Sequence, residues 1–440
     1  EEECEAAAEA AVRGFSELGG APLRFRIEVL EEARKLLSER AEDFAETISA
    51  ESGKTIREAR GEVSRAGETL RLSAIAASEQ MGGEVLPVDA APNGAGKWGF
   101  ARRFGAGPVL AITPFNFPLN LAMHKLGPAV AAGNSFILKP ASTTPITGLK
   151  LGKLFLDAGM PGSAVNVLPG PGARIAEPLA ADNRIKVVTF TGSPPVGKKL
   201  AKIAGMKLMA FELGSNSAAY VHSDADLMHA ADRITLGATA LAGQVCISTQ
   251  RVYAHREIFG ELLELLKSDF ENLKTGDPSC EMTDVGPMIT SAEAERAMLW
   301  IERAVESGAK LVTGGKRDGN FITPTILTGV PEDAELIRSE AFAPVLAVNE
   351  VDSAGDGLCR VGRSEYGLHA GIFTADIHLA EEGFRKLDVG GVIVNDIPTW
   401  RADLMPYGGN RLSGIGREGP AYALEHMTVW KAFVVQRREK

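Results

Sequence analysis

Apolar residues at Leu23, Ile27, Leu30, Leu37, Phe44 and Ile48 recur at spacings of three, four or seven, with Glu, Arg and Lys filling the gaps. This is the period of an amphipathic helix, so 22–48 is expected to form one or two long helices. The same character runs from Thr55 to about Ser78. Beyond that point the pattern changes. Short apolar runs at 109–112, 135–138, 165–168 and 186–190 read as strands, and the segments 119–132, 146–158 and 173–180 between them read as helices. Strand–helix–strand alternation at these lengths predicts a parallel sheet covered by helices.

A second alternating region starts near Ala218, with helices expected over 259–273 and 291–307 and strands over 345–348, 371–373 and 392–394. The segment 92–107 is Gly-rich around an arginine-bearing core, and 427–436 is a further strand candidate. Two α/β units with a crevice between them suit a cofactor-binding half and a catalytic half. In open α/β sheets ligands bind beyond the carboxyl ends of the strands.

Composition alters this picture little. The chain has 440 residues, 45% hydrophobic and 24% charged, which describes an ordinary globular protein of two or three domains. Its net charge of −10 disfavours binding to a phosphate backbone, so nucleic acid is not an expected partner. No apolar run approaches the ~20 residues that span a bilayer, and the acidic start is unlike a targeting peptide. Cys4, Cys246, Cys280 and Cys359 lie far apart with no CxxC pair, so a reducing cytoplasm is the expected setting. HExxH and Cys/His ligand clusters are absent from the sequence, and no metal is expected.

Four segments carry candidate chemistry. At 190–199 a strand enters a turn at Gly192, Ser193 can cap a helix, and Pro194 suits its first position. A helix start of this kind offers backbone N–H groups to a pyrophosphate. The segment nearly matches GxxxxGK, but Lys199 stands where a P-loop needs Ser or Thr, and two prolines remove donors. An ordinary strand-to-helix turn is the plain alternative. Cys246, in the run GQVCIS, is either a nucleophile or an inert buried thiol. Glu212, flanked by Phe211 and Leu213, is either a general base whose pKa is raised by desolvation or a structural carboxylate. Asn116, between Phe115 and Phe117 at a strand end, either donates to a developing oxyanion or shapes a turn.

Taken together and in order, PFNFP at 114–118, LKPAS at 138–142, FTGS at 190–193, ELGSNS at 212–217, GQVC at 243–246, EAFAPV at 340–345 and PYGGNRLSGIGREG at 406–419 resemble the aldehyde dehydrogenase superfamily over nearly the whole chain. Lactaldehyde, non-phosphorylating glyceraldehyde-3-phosphate and phosphonoacetaldehyde dehydrogenases are the members it looks closest to. The resemblance implies an α/β fold with two Rossmann-like parallel-sheet domains and a small β oligomerisation element. It implies an NAD(P)-binding domain over 1–86 and 106–214, a catalytic domain over 215–409, and oligomerisation strands over 87–105 and 427–440. A homodimer or homotetramer follows from it.

By the same resemblance Cys246 would attack an aldehyde to give a thiohemiacetal and then a thioester. Glu212 would activate water, while Asn116 and the Cys246 N–H would hold the oxyanion. Lys139, Ser142, Thr113, Pro114, Gly192, Ser193, Glu340 and Phe342 would line the NAD or NADP site. Ser142 stands where NAD-preferring members often carry Glu, which makes NADP acceptable. The chain starts inside what would be the family's first helix, without its N-terminal strand. Arg401, in the loop 397–407 and with His124 and Lys125 as companions, would clamp the carboxylate or phosphate of a short hydroxylated or anionic aldehyde, or else form a structural salt bridge with Asp403 or another acid. A CoA-acylating enzyme and a cysteine hydrolase are the rival readings. Glu212 argues against the first, and the lack of a matching histidine motif against the second.

Overall fold

The computed structural model describes residues 2–437. The expected oligomerisation strand over 427–440 therefore extends, at 438–440, outside the described residues. The first long amphipathic stretch forms two helices, Leu23–Glu39 and Ala41–Ser52, broken at Arg40. Ile56–Gln80 follows as a single helix. Its start is a capping box. Thr55 Oγ1 accepts from the Glu58 N–H, and Glu58 Oε2 accepts from the Thr55 N–H, as the T-x-x-E spacing permits.

The strand–helix alternation after residue 108 builds a six-stranded sheet. Its spatial order is Val165–Val167, Phe136–Lys139, Val109–Ile112, Val187–Thr191, Leu208–Glu212 and Gly414–Ile415. The first five strands are parallel, and the last, a return from near the C-terminus, is antiparallel. In chain order this is 3-2-1-4-5, the doubly wound arrangement whose order reverses between Val109–Ile112 and Val187–Thr191. Thr113, Pro114, Gly192 and Ser193 therefore all lie just beyond the switch point. The strands at its centre are buried along their whole length, which accounts for their unbroken apolar character.

The second region gives a seven-stranded sheet in the order Lys310–Thr313, Thr325–Thr328, Val345–Val351, Arg251–His255, Ala218–Val221, His369–Phe373 and Gly391–Val394. All neighbours are parallel except the first pair. Separate apolar cores lie against the two sheets. Strand Lys97–Gly105 pairs over nine residues with Thr428–Gln436, and Glu84–Leu86 completes a small three-stranded sheet. Helix Pro420–His426 follows the return strand, and its Ala423 and Leu424 are buried. No helix among the described residues is long and apolar enough to cross a membrane.

Candidate active site

Cys246 follows helix Leu227–Thr239 through a strained turn. Leu241, Ala242 and Gly243 have φ of 46°, 52° and 71°, three consecutive left-handed residues. Gly243 is required there, because a Cβ would lie 2.0 Å from the Ala343 carbonyl oxygen. The strain is held by side chains from elsewhere. Glu58 Oε1 accepts from the Leu241 N–H at 2.8 Å, and the Gln244 amide bridges Leu241 O and the Ile289 N–H. Asn116 Nδ2 donates to Gln244 O at 2.9 Å, leaving its second N–H uncommitted beside the thiol loop.

Helix Ile56–Gln80 organises more than this turn. Glu58, Glu62 and Arg65 fall on one face at i, i+4 and i+7. Glu62 Oε1 accepts from the N–H groups of Leu119 and Asn120 at 2.9 Å each, and so holds the start of the helix that follows Asn116. Its other oxygen pairs with the buried Lys54, whose ammonium sits 3.7 Å over the Phe117 ring. Arg65 grips both oxygens of Asp403, at 2.7 and 3.1 Å. One helix face thus fixes the three segments that carry Cys246, Asn116 and Arg401.

Glu212 ends the last parallel strand of the first sheet. Its carbonyl accepts from the Gly192 N–H, and Gly414 pairs with it from the return strand. Its carboxylate is buried, and among the described residues Oε2 has no hydrogen-bond partner. Burial, reinforced by the charge of Glu418, raises its pKa well above the ordinary carboxylate value, against the pull of Lys125, Arg401 and Arg417. Burial likewise pushes the Cys246 thiol up to about 12. Its sulfur lies 3.0 Å from the Tyr407 hydroxyl, and among the described residues no histidine is hydrogen-bonded to it.

The Arg401 side chain is buried and lies within ion-pair distance of two acids, Glu418 and Asp403. Its guanidinium lies 3.7 Å over the Tyr407 ring, with Nη2 3.0 Å from His124 Nε2 and 3.5 Å from Glu418 Oε2. Asp403 is 3.9 Å from Nε, and that nitrogen has no hydrogen-bond partner. Burial opposes its charge, but Glu418, Tyr407, Asp403 and Glu212 outweigh burial and raise its pKa. Lys125 donates to Glu418 at 2.6 Å in the same layer. Burial, then the Arg401 charge, lowers His124 to about 4, so its ring is neutral at pH 7. A neutral ring that accepts from Arg401 at Nε2 cannot also donate there to Asp403, 2.9 Å away.

A cleft of about 640 Å³ runs from Cys246 and Asn116 to Gly192 and Ser193, and is lined also by Pro114, Glu340 and Phe342. Its residues fit a dinucleotide. Pro114, Phe115, Pro195 and Leu213 supply apolar walls for a ring system. The Lys139 ammonium, largely buried at the end of its strand, has no hydrogen-bond or ion-pair partner among the described residues, and desolvation lowers its pKa. Glu340 takes only the Ser215 N–H at 2.9 Å, and burial raises it to about 7. Thr113 is buried beside Lys139, whose carbonyl accepts its N–H.

Two expectations for this cleft change in detail. Ser193 occupies the cap position of helix Pro194–Ala204, but its hydroxyl makes no capping bond, because prolines fill the first two helical positions and leave little to cap. Ser142 is engaged, donating to Gly170 O at 2.8 Å. Sequence reading did not single out Tyr407, or Glu418 as the partner of Lys125. Tyr407 appears in the PYGG run, but nothing local reveals a partner 161 positions away.

The sequence profile described as the aldehyde dehydrogenase family matches residues 1–433. A 3-sulfolactaldehyde dehydrogenase of Priestia aryabhattai is 48% identical over 410 residues, covering 93% of this chain and 86% of that protein. Among solved structures, aldehyde dehydrogenase 21 of Physcomitrella patens, in complex with the reaction product succinate, superposes with a TM-score of 0.95 at 38% identity, over 98% of this chain and 89% of that one. Glyceraldehyde-3-phosphate dehydrogenase of Methanocaldococcus jannaschii, complexed with NADP, gives 0.95 at 36% identity, over 99% and 94%.

Proposed function

The chain belongs to the aldehyde dehydrogenase family, and from that premise we propose that it oxidises a short anionic, hydroxylated aldehyde to the acid through a thioester on Cys246. One observation carries this reading: a single cleft is lined both by Cys246 and Asn116 and by Gly192, Ser193, Glu340 and Phe342. NAD(P)⁺, when bound, supplies the acceptor for the hydride that leaves the carbonyl carbon. Glu340 and Lys139 would meet the hydroxyls of its ribose, and the turn at Gly192 its pyrophosphate.

The protein's own groups divide the remaining work. Cys246 Sγ bonds to the aldehyde carbon while the carbonyl π pair moves onto oxygen, giving a thiohemiacetal oxyanion. The spare N–H of Asn116 and the Cys246 backbone N–H donate to that oxygen. After oxidation the carbon is held as a thioester. Glu212, kept basic by burial, takes a proton from the water that attacks it, and the carbon–sulfur bond breaks to return the thiolate. Glu212 favours water over CoA as the acyl acceptor.

Arg401 supports the anionic substrate class. Its buried Nε–H has no hydrogen-bond partner among the described residues, and its guanidinium lies over the ring of Tyr407, whose hydroxyl is 3.0 Å from the Cys246 sulfur. Ser142, which brings no carboxylate to this position, would tolerate the 2′-phosphate of NADP. The three-stranded sheet supports assembly with a second copy, since Thr428–Gln436 is an edge strand and Trp98, Phe100, Trp430 and Phe433 are exposed beside it.

The test follows NAD⁺ and NADP⁺ reduction with sulfonated, phosphorylated and carboxylated 2-hydroxy aldehydes and a neutral comparator, with and without CoA. Expected is turnover without CoA that Cys246→Ala abolishes. Arg401→Ala should lower kcat/KM for the anionic aldehydes selectively. Full activity in Cys246→Ala would refute the chemistry, and an unselective effect of Arg401→Ala would refute the substrate class.

A further inference from the structure

We propose that Tyr407 is a further catalytic residue: its hydroxyl donates to the Cys246 sulfur once that sulfur ionises, and Arg401, stacked on the ring, makes it the stronger donor. The inference rests on Cys246 being the nucleophile.

The geometry is 3.0 Å from Tyr407 Oη to Cys246 Sγ. In the neutral pair either group can donate. A thiolate carries no proton and only accepts, so in the reactive state the direction of the bond is forced. Hydrogen bonds to an ionised acceptor are about twice as strong as neutral ones, and this contact therefore favours the reactive form over the resting one.

The surroundings keep the hydroxyl at this duty. Tyr407 is buried against Leu241, Val245, Ile247 and Leu368, which leaves its ring no path to solvent. His369 meets the ring edge-on with centroids 5.1 Å apart, and Arg401 covers a face at 3.7 Å. A cation on the π face draws electron density from the ring and strengthens the O–H as a donor.

The need for such a group follows from the charges facing the sulfur. Burial disfavours the thiolate, and the carboxylates of Glu340 and Glu212 add to that. Tyr407 and Arg401 are the groups that act in the opposite sense. Asn116 does not share this role, because one of its N–H bonds is committed to Gln244 and the other is free for the carbonyl oxygen. Thiolate and oxyanion are thus served by different donors.

The test is the pH dependence of Cys246 alkylation by iodoacetamide in the intact protein, read by mass spectrometry of the peptide that contains it. In Tyr407→Phe the rate at pH 7 should fall roughly tenfold, with the midpoint displaced to higher pH, as loss of a charge-assisted hydrogen bond requires. The rising limb of kcat/KM against pH should move the same way. If Tyr407→Phe does not fold, 3-fluorotyrosine at position 407, a stronger donor of nearly the same shape, should move the midpoint to lower pH. A midpoint unmoved, or moved in the opposite sense, overturns the inference. Turnover retained by Cys246→Ala would instead overturn the parent reading, so the two failures are told apart.

Discussion

The two walls that meet at Cys246 are built on opposite principles. On the cleft side a polar group is left under-partnered: among the described residues the Glu340 carboxylate takes one hydrogen bond, from a backbone N–H. Behind the thiol, charges are packed against one another in Lys125–Glu418, Arg65–Asp403 and the layer of His124 and Arg401. A group waiting for a visiting molecule adds little to the stability of the empty protein. A charge in a closed layer is a condition for folding, because removing its partner leaves it buried and alone. The difference teaches where a mutation should be felt: as lost affinity on one wall and as lost stability on the other.

The largest expected effect lies between the walls. Glu212→Gln should lower steady-state turnover by about 10²–10⁴-fold while leaving a burst of reduced cofactor equal to the enzyme concentration, measured by stopped-flow absorbance. Loss of the burst as well would move Glu212 to the first half-reaction. Next, Glu418→Gln strands the Lys125 ammonium and should cost about 3–5 kcal/mol in urea unfolding. Glu340→Gln keeps an acceptor for Ser215, and at about pH 5, where the folded protein's Glu340 is protonated, should change stability by less than about 1 kcal/mol, while raising the KM for cofactor roughly tenfold. Equal stability losses in these two variants would break the comparison outright.

The smallest effect, and the sharpest discriminator, is in the pH dependence. Glu340 is raised from 4.5 to about 7, so its contribution to stability is fully present below about pH 4.5 and is lost as pH rises through about 7. Asp403 and Glu418 are affected in the other direction. Burial alone would raise them, but the Arg65 guanidinium on the one, and Lys125 and Arg401 on the other, hold both below the ordinary range. Their contributions are present above the unfolded values of 3.8 and 4.5 and are lost as pH falls. Relative to Glu340→Gln, the melting temperature of the unaltered protein should therefore decline between about pH 5 and about pH 8. Relative to Glu418→Gln, its advantage should shrink only in acid.

What could be read from the chain depended on whether the information was local. The strands at 109–112, 136–139 and 187–191 announced themselves because both faces are buried and most of their residues are apolar. Arg251–His255 did not, since it opens on an arginine that is buried because its guanidinium donates to Asn216 O, Val361 O and other acceptors around it. Thr325–Thr328 and Lys310–Thr313 are short and rich in polar residues, and they carry no alternation to detect. Cys246, Glu212, Asn116 and Glu340 were legible because each sits in a recognisable run. Tyr407 and the Lys125–Glu418 pair were not, since their significance lies in contacts across 161 and 293 positions. Ser193 was legible as a cap position, but the prolines that marked the helix start also removed the reason for a capping bond.

The helix Ile56–Gln80, whose face holds Glu58, Glu62 and Arg65, has a consequence for the order of events during synthesis. Arg65 leaves the ribosome 338 residues before Asp403, the carboxylate that completes it. At about 5–20 residues per second, that is a wait of roughly 20–70 s. Through that interval a helix face destined for the interior carries charges still open to water, and the chain around it cannot close. The thiol loop, made midway, and the loop bearing Arg401, made near the end, dock onto a surface made early. A nascent chain halted anywhere in that span would display the helix without all of its clients, a state that chaperones and proteases can read as unfinished.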